Sequence, residues 1–442
     1  MNIKVYVFLG CTAVSSCGGR SATNVGTGAG GGSVVCGPGT VQVRDECLPS
    51  SGVTSDADAS NDGLITGAFG ADASTGRGSS VEAGEDAPIS FTGSDGGSTS
   101  GFAIDQAHDN AESTAVVRSP LTQAWMVEFQ GPVSYPLVLG TTAIVATSAS
   151  QASIEAVDLA TGTTVWGPLG FGDPVQLAAD GNTVVALDQN GVLTAIDGTT
   201  GKQMWSTQLV TQSEFDAPPV AVGGLVYVNG LGSGGTTYAV DEKTGATVWS
   251  ADTVAGSFGA VGVAGGVVYE AEACDQVSAF DALTGVLRWY HSTSCERGGG
   301  AAPAIYQGLV WVRDWALGDI ILDTSGAVHG SFVATNVPSF FGGSAFLQSM
   351  GTLTAVDAQT KLKQWSFNGD SQLCTSAIVA GGGAQVFVGS QTGNVYELDA
   401  TTGTQISVSN TGNPVTCGSE TQSIALGGGH LLVPAGNSLV AY

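Results

Sequence analysis

One short unit recurs through the C-terminal part of the chain, and its clearest copy is Tyr238–Trp249, YAVDEKTGATVW. Tyr238-Ala239-Val240 alternates like a β-strand, Asp241 follows, a Lys243-Thr244-Gly245 turn comes next, and Ala246-Thr247-Val248 climbs into Trp249. A glycine closing a short polar turn supplies the positive φ that a tight hairpin needs. The aspartate ahead of it can accept hydrogen bonds from the turn's own N–H groups. The unit returns as Asp158…Gly162…Trp166, Asp197…Gly201…Trp205, Asp281…Gly285…Trp289 and Asp357…Trp365. Two copies are degenerate: Asp323…Gly326…Phe332 has no Trp, and Asp399…Gly403 carries Ser407 at the Trp position.

The seven aspartates are separated by 39, 44, 40, 42, 34 and 42 residues. Short β segments and glycine turns at that period predict an all-β propeller with one four-stranded antiparallel blade per repeat. A helical repeat would need apolar residues at three-to-four spacing, and no such run occurs. Each blade opens on an inner strand such as Pro219–Val222 or Ala302–Tyr306, and a Gly-rich turn leads to a second such as Leu225–Val228, Leu309–Arg313 or Gln385–Val388. The Asp unit supplies the third and fourth. Ser438–Tyr442 reads as a third strand lacking its fourth, and Gln123–Phe129 as a Trp-bearing fourth strand lacking its blade. Pairing them closes a ring of eight blades and removes open edges.

The unit resembles the A-x-D-x-x-T-G-x-x-x-W repeat of the pyrroloquinoline-quinone (PQQ)-like propeller superfamily, over residues Ser119–Tyr442 and nothing before them. The resemblance implies that Trp125, Trp166, Trp205, Trp249, Trp289 and Trp365 dock between neighbouring blades. Quinoprotein dehydrogenases of that superfamily hold PQQ on the propeller axis with calcium, a catalytic Asp, a Trp floor and often adjacent cysteines. This chain has no adjacent Cys pair and only 12 Lys and Arg. Arg297 and Arg313 are the only residues that tempt as partners for a tricarboxylate. The expectation is no cofactor.

Met1–Ser16 carries Lys4 as its only charge and the apolar run Val5–Gly10, which is too short to span a bilayer and reads as a secretory signal. Val14-Ser15-Ser16-Cys17 resembles a bacterial lipobox, so Cys17 is the expected lipidation site; Cys11 is a rival that leaves a very short signal. Cys36 and Cys47 bracket a turn-rich loop expected to be a disulfide, with a zinc site as the rival that lacks two further ligands. Residues 17–118 as a whole, Gly-, Ser- and Asp-rich from Ser50 onward, are expected to form a disordered tether, because such a composition buries too little apolar surface to offset ordering entropy. Asp56…Asp62 glances at a calcium loop but has Asn61 where the bend wants Gly.

In this topology the loops between second and third strands share a face with those linking one blade to the next. That face carries Cys274, Cys295, Cys374 and Cys417, expected as pairs 274–295 and 374–417, which leaves no thiol for catalysis. It also carries Asp216, Glu270, Glu272, Asp275, Glu296 and Asp370. Calcium is considered there, with Glu270, Glu272 and Asp275 as the candidates, against a solvated acidic rim. His108, His291, His329 and His430 show no metal spacing. A net charge of −26 excludes nucleic acid and anionic head groups as natural partners and favours a soluble monomer. The layout of lipobox plus repeats resembles the propeller lipoprotein of the outer-membrane β-barrel assembly machinery. That resemblance implies a non-enzymatic scaffold in the bacterial envelope, at the outer membrane, binding another envelope protein or polymer. The alternative is a quinoprotein-like oxidoreductase.

Overall fold

The computed structural model describes residues 99–442 except 149–150, 233, 254–259, 294–300, 315–317 and 418–422, and the backbone of a hairpin at 40–43 and 46–49. In that hairpin Thr40–Val43 runs antiparallel to Glu46–Pro49. Cys11, Cys17, Cys36, Cys295 and Glu296 fall outside the described residues, as does the Cys47 side chain.

Eight sheets make up the ring, seven of four strands and one, in blade 7, whose four are joined by a fifth short strand, Ala111–Glu112. Blade 1 begins at Leu137–Leu139, and blades 2 to 7 begin at Val175–Asp180, Val220–Val222, Ala260–Ala264, Ala304–Tyr306, Ser339–Phe341 and Ile378–Ala380. Blade 8 is composite. Ala425–Gly427, His430–Ala435 and Ser438–Ala441 are completed by Trp125–Glu128, with Ala441 opposite Trp125 and Ser438 opposite Glu128. Inner strands are wholly apolar or nearly so and buried, whereas fourth strands alternate with one side in water, as expected for strands buried on two faces and on one.

The repeat motif explains the seams between blades. Each Trp sits opposite an alanine of the third strand: Ala156–Trp166, Ala195–Trp205, Ala239–Trp249, Ala279–Trp289, Ala355–Trp365 and Ala441–Trp125. The small alanine leaves room for the indole, which reaches into the next blade. There its Nε1–H donates to the carbonyl one residue past that blade's aspartate: Leu159, Gly198, Glu242, Ala282, Thr324 and Ala400, at 2.7–3.1 Å. The turn glycine of that blade lies against the same indole. A Cβ at Gly162, Gly201, Gly245, Gly285, Gly326 or Gly403 would meet it at 2.5–2.9 Å. The aspartate holds the turn by accepting from the Thr N–H and hydroxyl, as Asp241 does from Thr244 at 2.8 and 2.6 Å. Those bonds hold Asp158, Asp197 and Asp399 below the usual carboxylate range.

Two seams depart from this plan. In blade 5 the turn is one residue shorter, so Gly330, not Phe332, occupies the Trp register, opposite Ile321. Phe332 instead meets Trp311 edge-on, 5.0 Å between ring centres. Blade 6 has Lys361 where the glycine would be, at φ +63. Its ammonium donates to the Ala358 carbonyl, the atom that elsewhere accepts from the indole, and lies 4.4 Å from the Trp311 ring centre. At the seam between blades 7 and 8, Ser407 stands opposite Glu397 and hydrogen-bonds it at 2.5 Å, while the Leu121 N–H donates to the Ser407 hydroxyl.

Candidate functional site: the axial channel and the acidic loop face

The inner strands present unpaired edges to the propeller axis, and the chain fills that axis itself. Residues 99–112 run round the inner strands, accepting one main-chain hydrogen bond from each of six blades. Val138 N donates to Thr99 O, Ala179 to Ser100, Val263 to Gln106, Ile305 to Ala107, Phe340 to Asp109 and Val379 to Asn110, all at 2.7–3.0 Å. Blade 8 joins through Leu426, whose N–H and C=O both bond the Thr99 hydroxyl. Every one of these seven residues lies two positions before the turn that ends its inner strand. Phe102 anchors the segment edge-on to Tyr135 and His108, with ring centres 5.6 and 5.7 Å away. Ala103, Ile104 and Asn110 are fully buried. Ala111 and Glu112 pair parallel with Val379 and Ala380.

This corrects the expectation of a disordered tether through Arg118. From Thr99 onward the segment is packed, and Asp105, Asp109 and Glu112, read as solvated linker acids, lie in or against the channel. The composition argument fails there because the segment needs no core of its own: the inner strands of seven blades supply its hydrogen-bond partners. The path is strained, with Ala103, Ile104, His108 and Asn110 all at φ between 53 and 80°, a region unfavourable to a β-branched residue. Where the segment faces blade 3, Ser100, Phe102, Asp105 and His108 approach Pro219–Ala221, leaving a hollow too small for a water molecule.

On the loop face, Glu270 accepts from Asn229 at 2.9 Å and shares a hydrogen bond with Glu272, which accepts from Thr253 at 2.5 Å. Burial first, and the Glu272 charge second, push Glu270 well above its ordinary value. Asp275, at φ +51, is pushed up to about 7 by burial and then by Asp314 and Asp319. Asp370 instead accepts from Ser390, Thr392 and Asn394, and Asp216 is raised by burial and Glu214. Among the described residues no group of three or more His, Cys, Asp or Glu side chains converges to hold a metal ion. Arg313 donates to the Thr335 carbonyl at 2.7 Å. His291 donates from Nδ1–H to Gly326 O at 3.1 Å, with burial lowering its affinity for a proton. Cys374 and Cys417 form a disulfide, Cα atoms 5.4 Å apart, tying the loop entering blade 7 to the loop leaving it. Cys274 is disulfide-bonded as well.

Comparison with known proteins agrees with this architecture. A family profile described as outer membrane protein assembly factor BamB matches residues 94–228, 150–302, 233–414 and 349–438, overlapping as a repeat should. BamB of Moranella endobia (strain PCIT) is 30% identical over 135 residues, which are 28% of this chain and 34% of that protein. The match thus spans about a third of the length of that curated relative. The crystal structure of BamB from Moraxella catarrhalis superposes with a TM-score of 0.57 at 21% identity, over 72% of this chain and 96% of that one. Quinohemoprotein alcohol dehydrogenase from Comamonas testosteroni gives a TM-score of 0.60 at 15% identity, over 78% and 80%. At such identity these two likenesses show a shared fold. The repeats, the indole seams and the profile match together establish that the chain belongs to the PQQ-like propeller family of outer membrane protein assembly factor BamB.

Proposed function

We propose that this protein is a non-enzymatic propeller scaffold, anchored by a lipid on Cys17 at the outer membrane and engaging another protein of the bacterial envelope. The observation that carries the reading is the filled axis. Residues 99–112 occupy the channel and use up the inner-strand donors of six blades, so recognition falls to the loop faces and outer strands. Family membership supports a role in outer-membrane assembly, and the lipobox resemblance at Val14–Cys17 supports the anchor. The charge balance, 38 acids against 12 bases, favours a partner surface with basic character.

The test is site-specific photo-crosslinking from the loop face of the intact, lipidated chain in its own envelope, at Asn190, Asp216 and Asp370 in turn. The reading expects one recurring adduct with a component of the β-barrel assembly machinery, lost when Cys17→Ala frees the protein from the membrane. Adducts only with the chain itself, or an unchanged pattern in the unanchored variant, would refute it.

A further inference from the structure

We propose that the turn-side rim of blades 4, 5 and 6 is a membrane-contact surface, lying on the zwitterionic bilayer that the lipid on Cys17 enters. The inference rests on the anchor proposed above and adds which side of the propeller meets the membrane. The turns between first and second strands and those between third and fourth lie on one side of the ring, opposite the loop face. Apolar exposure on that side gathers in one sector. The third-to-fourth hairpins of blades 1, 2 and 3 expose one large apolar side chain each, Val165, Met204 and Val248. The blade 4 hairpin exposes three, Leu283, Val286 and Leu287, at 47, 62 and 53%, and the next two blades add Val328 at 60% and Leu362 at 70%. The three blades are directly joined: the Trp289 indole of blade 4 donates to Thr324 O of blade 5, and Lys361 of blade 6 lies over Trp311 of blade 5.

The same sector is balanced in charge, on a chain that carries −26. Its turn-side acids are Asp281, Asp323 and Asp357, each accepting from N–H groups of its own hairpin. Its turn-side bases are Arg288, which pairs with Asp281 at 2.8 Å, Lys361 and Lys363, with His329 beside them. The neighbouring first-to-second turns, Gly265-Gly266, Gln307-Gly308 and Gly342-Gly343, carry no charge. The loop face of these blades holds Glu270, Glu272, Asp275, Asp314 and Asp319, and its one described Lys or Arg, Arg313, is 3% exposed. Aliphatic side chains beside Lys and Arg suit the head-group boundary, where apolar atoms leave water and long bases keep their charge in it. A sector without net charge meets no repulsion at a zwitterionic surface.

The path of the chain selects the bilayer as the occupant. Thr99 pairs antiparallel with Val138, whose strand runs toward the turn at Gly140, so the chain enters the axis from the turn side. Ala111–Glu112 runs parallel to Val379–Ala380 toward the Gly381–Gly383 turn, and so returns to the same side. Everything N-terminal to Thr99, Cys17 included, is therefore attached to the propeller on the side that carries the rim. A lipid at Cys17 makes contact between rim and bilayer an intramolecular step, for which weak affinity suffices. The loop face is left open to a protein partner.

The test places the intact, lipidated chain on phosphatidylcholine vesicles, with the fluorescent residue dansylalanine built in at Leu287 or Leu362 on the rim, or at Asn190 or Met350 on the loop face. Met350, 93% exposed, controls for apolar exposure alone. Brominated lipid should quench the rim probes about twofold more than the loop-face probes. The triple substitution Leu283→Ser, Val286→Ser, Leu287→Ser should remove that difference at the Leu362 probe while the protein still floats with the vesicles. Equal quenching of rim and loop probes in a chain that floats overturns the proposal and leaves the anchor standing. A chain that does not float overturns both. Rim probes shielded as strongly without lipid, in a species of doubled mass, overturn it in favour of a second copy of the chain.

Discussion

Six seams of the ring rest on an indole, and the seam between blades 5 and 6 rests on an ammonium. In the first kind, three positions in two blades are tied together: a third-strand alanine that makes room, the Trp that crosses, and the glycine that lets it lie flat. In the second kind all three change at once, to Ile321, Gly330 and Lys361, and the Lys361 ammonium takes over the Ala358 carbonyl that an indole would have served. What the difference teaches is that the repeat consensus is a property of interfaces rather than of blades. A glycine is required only where the preceding blade sends a Trp, and an alanine only where its own fourth strand carries one.

The strongest way to break the regular plan is at the seam that closes the ring. Deleting Ser438–Tyr442 removes the strand that Trp125–Glu128 pairs with, leaving Trp125 without its alanine. Loss of cooperative thermal unfolding is expected, not a small shift, since the open ring exposes two unpaired edges. Next in size is Trp249→Ala, which empties a site between Tyr227 and Phe280 and leaves the Ala282 carbonyl without its indole donor. It should cost about 3–5 kcal/mol in denaturant titration. Gly285→Ala adds a Cβ 2.6 Å from the Trp249 ring at φ +68, for about 1–3 kcal/mol; in the Trp249→Ala background the clash part of that penalty should vanish and the part due to the positive φ should stay.

The irregular seam sharpens the comparison, because there the consensus residue should be the wrong one. Lys361→Gly restores the repeat motif yet removes the donor to Ala358 O, and should destabilise by about 1 kcal/mol. Combined with Ile321→Ala and Gly330→Trp it should recover that loss, and a cycle of melting curves measures the coupling. The smallest effect is electrostatic. The turn aspartates Asp158, Asp197, Asp323, Asp357 and Asp399 are held below 3.8, so their contribution is present above that pH and lost as pH falls through the lowered values. An acid titration should show it at the low end, as a loss of stability while pH falls.

Blade number, the composite eighth blade and the ring-closing pair were legible in the sequence, because each rests on short-range turn chemistry repeated at a fixed period. The copy at Asp323 was legible as degenerate, with no Trp, but that its turn is one residue short and brings Gly330 opposite Ile321 was not. The axial segment, residues 99–112, was not legible by composition. Gly, Ser and Asp dominate up to Thr99, and the one local signal is Phe102-Ala103-Ile104, an apolar triplet in an otherwise polar stretch. Its partners are strand edges up to 327 residues away, as at Leu426, which no local pattern encodes. The acids of the loop face were legible as a group, but the Glu270–Glu272 hydrogen bond and the separate cradle of Asp370 depend on contacts between strands.

The central claim is that this propeller works through its surface, its axis being already occupied by its own chain. The most direct measurement is thermal melting and absorbance of the purified full chain titrated with PQQ and calcium, together and singly. A ligand of the folded state raises the melting temperature through RT ln(1 + [L]/Kd). The account predicts an unmoved curve and no quinone-like absorbance. A concentration-dependent rise with a bound chromophore would contradict it.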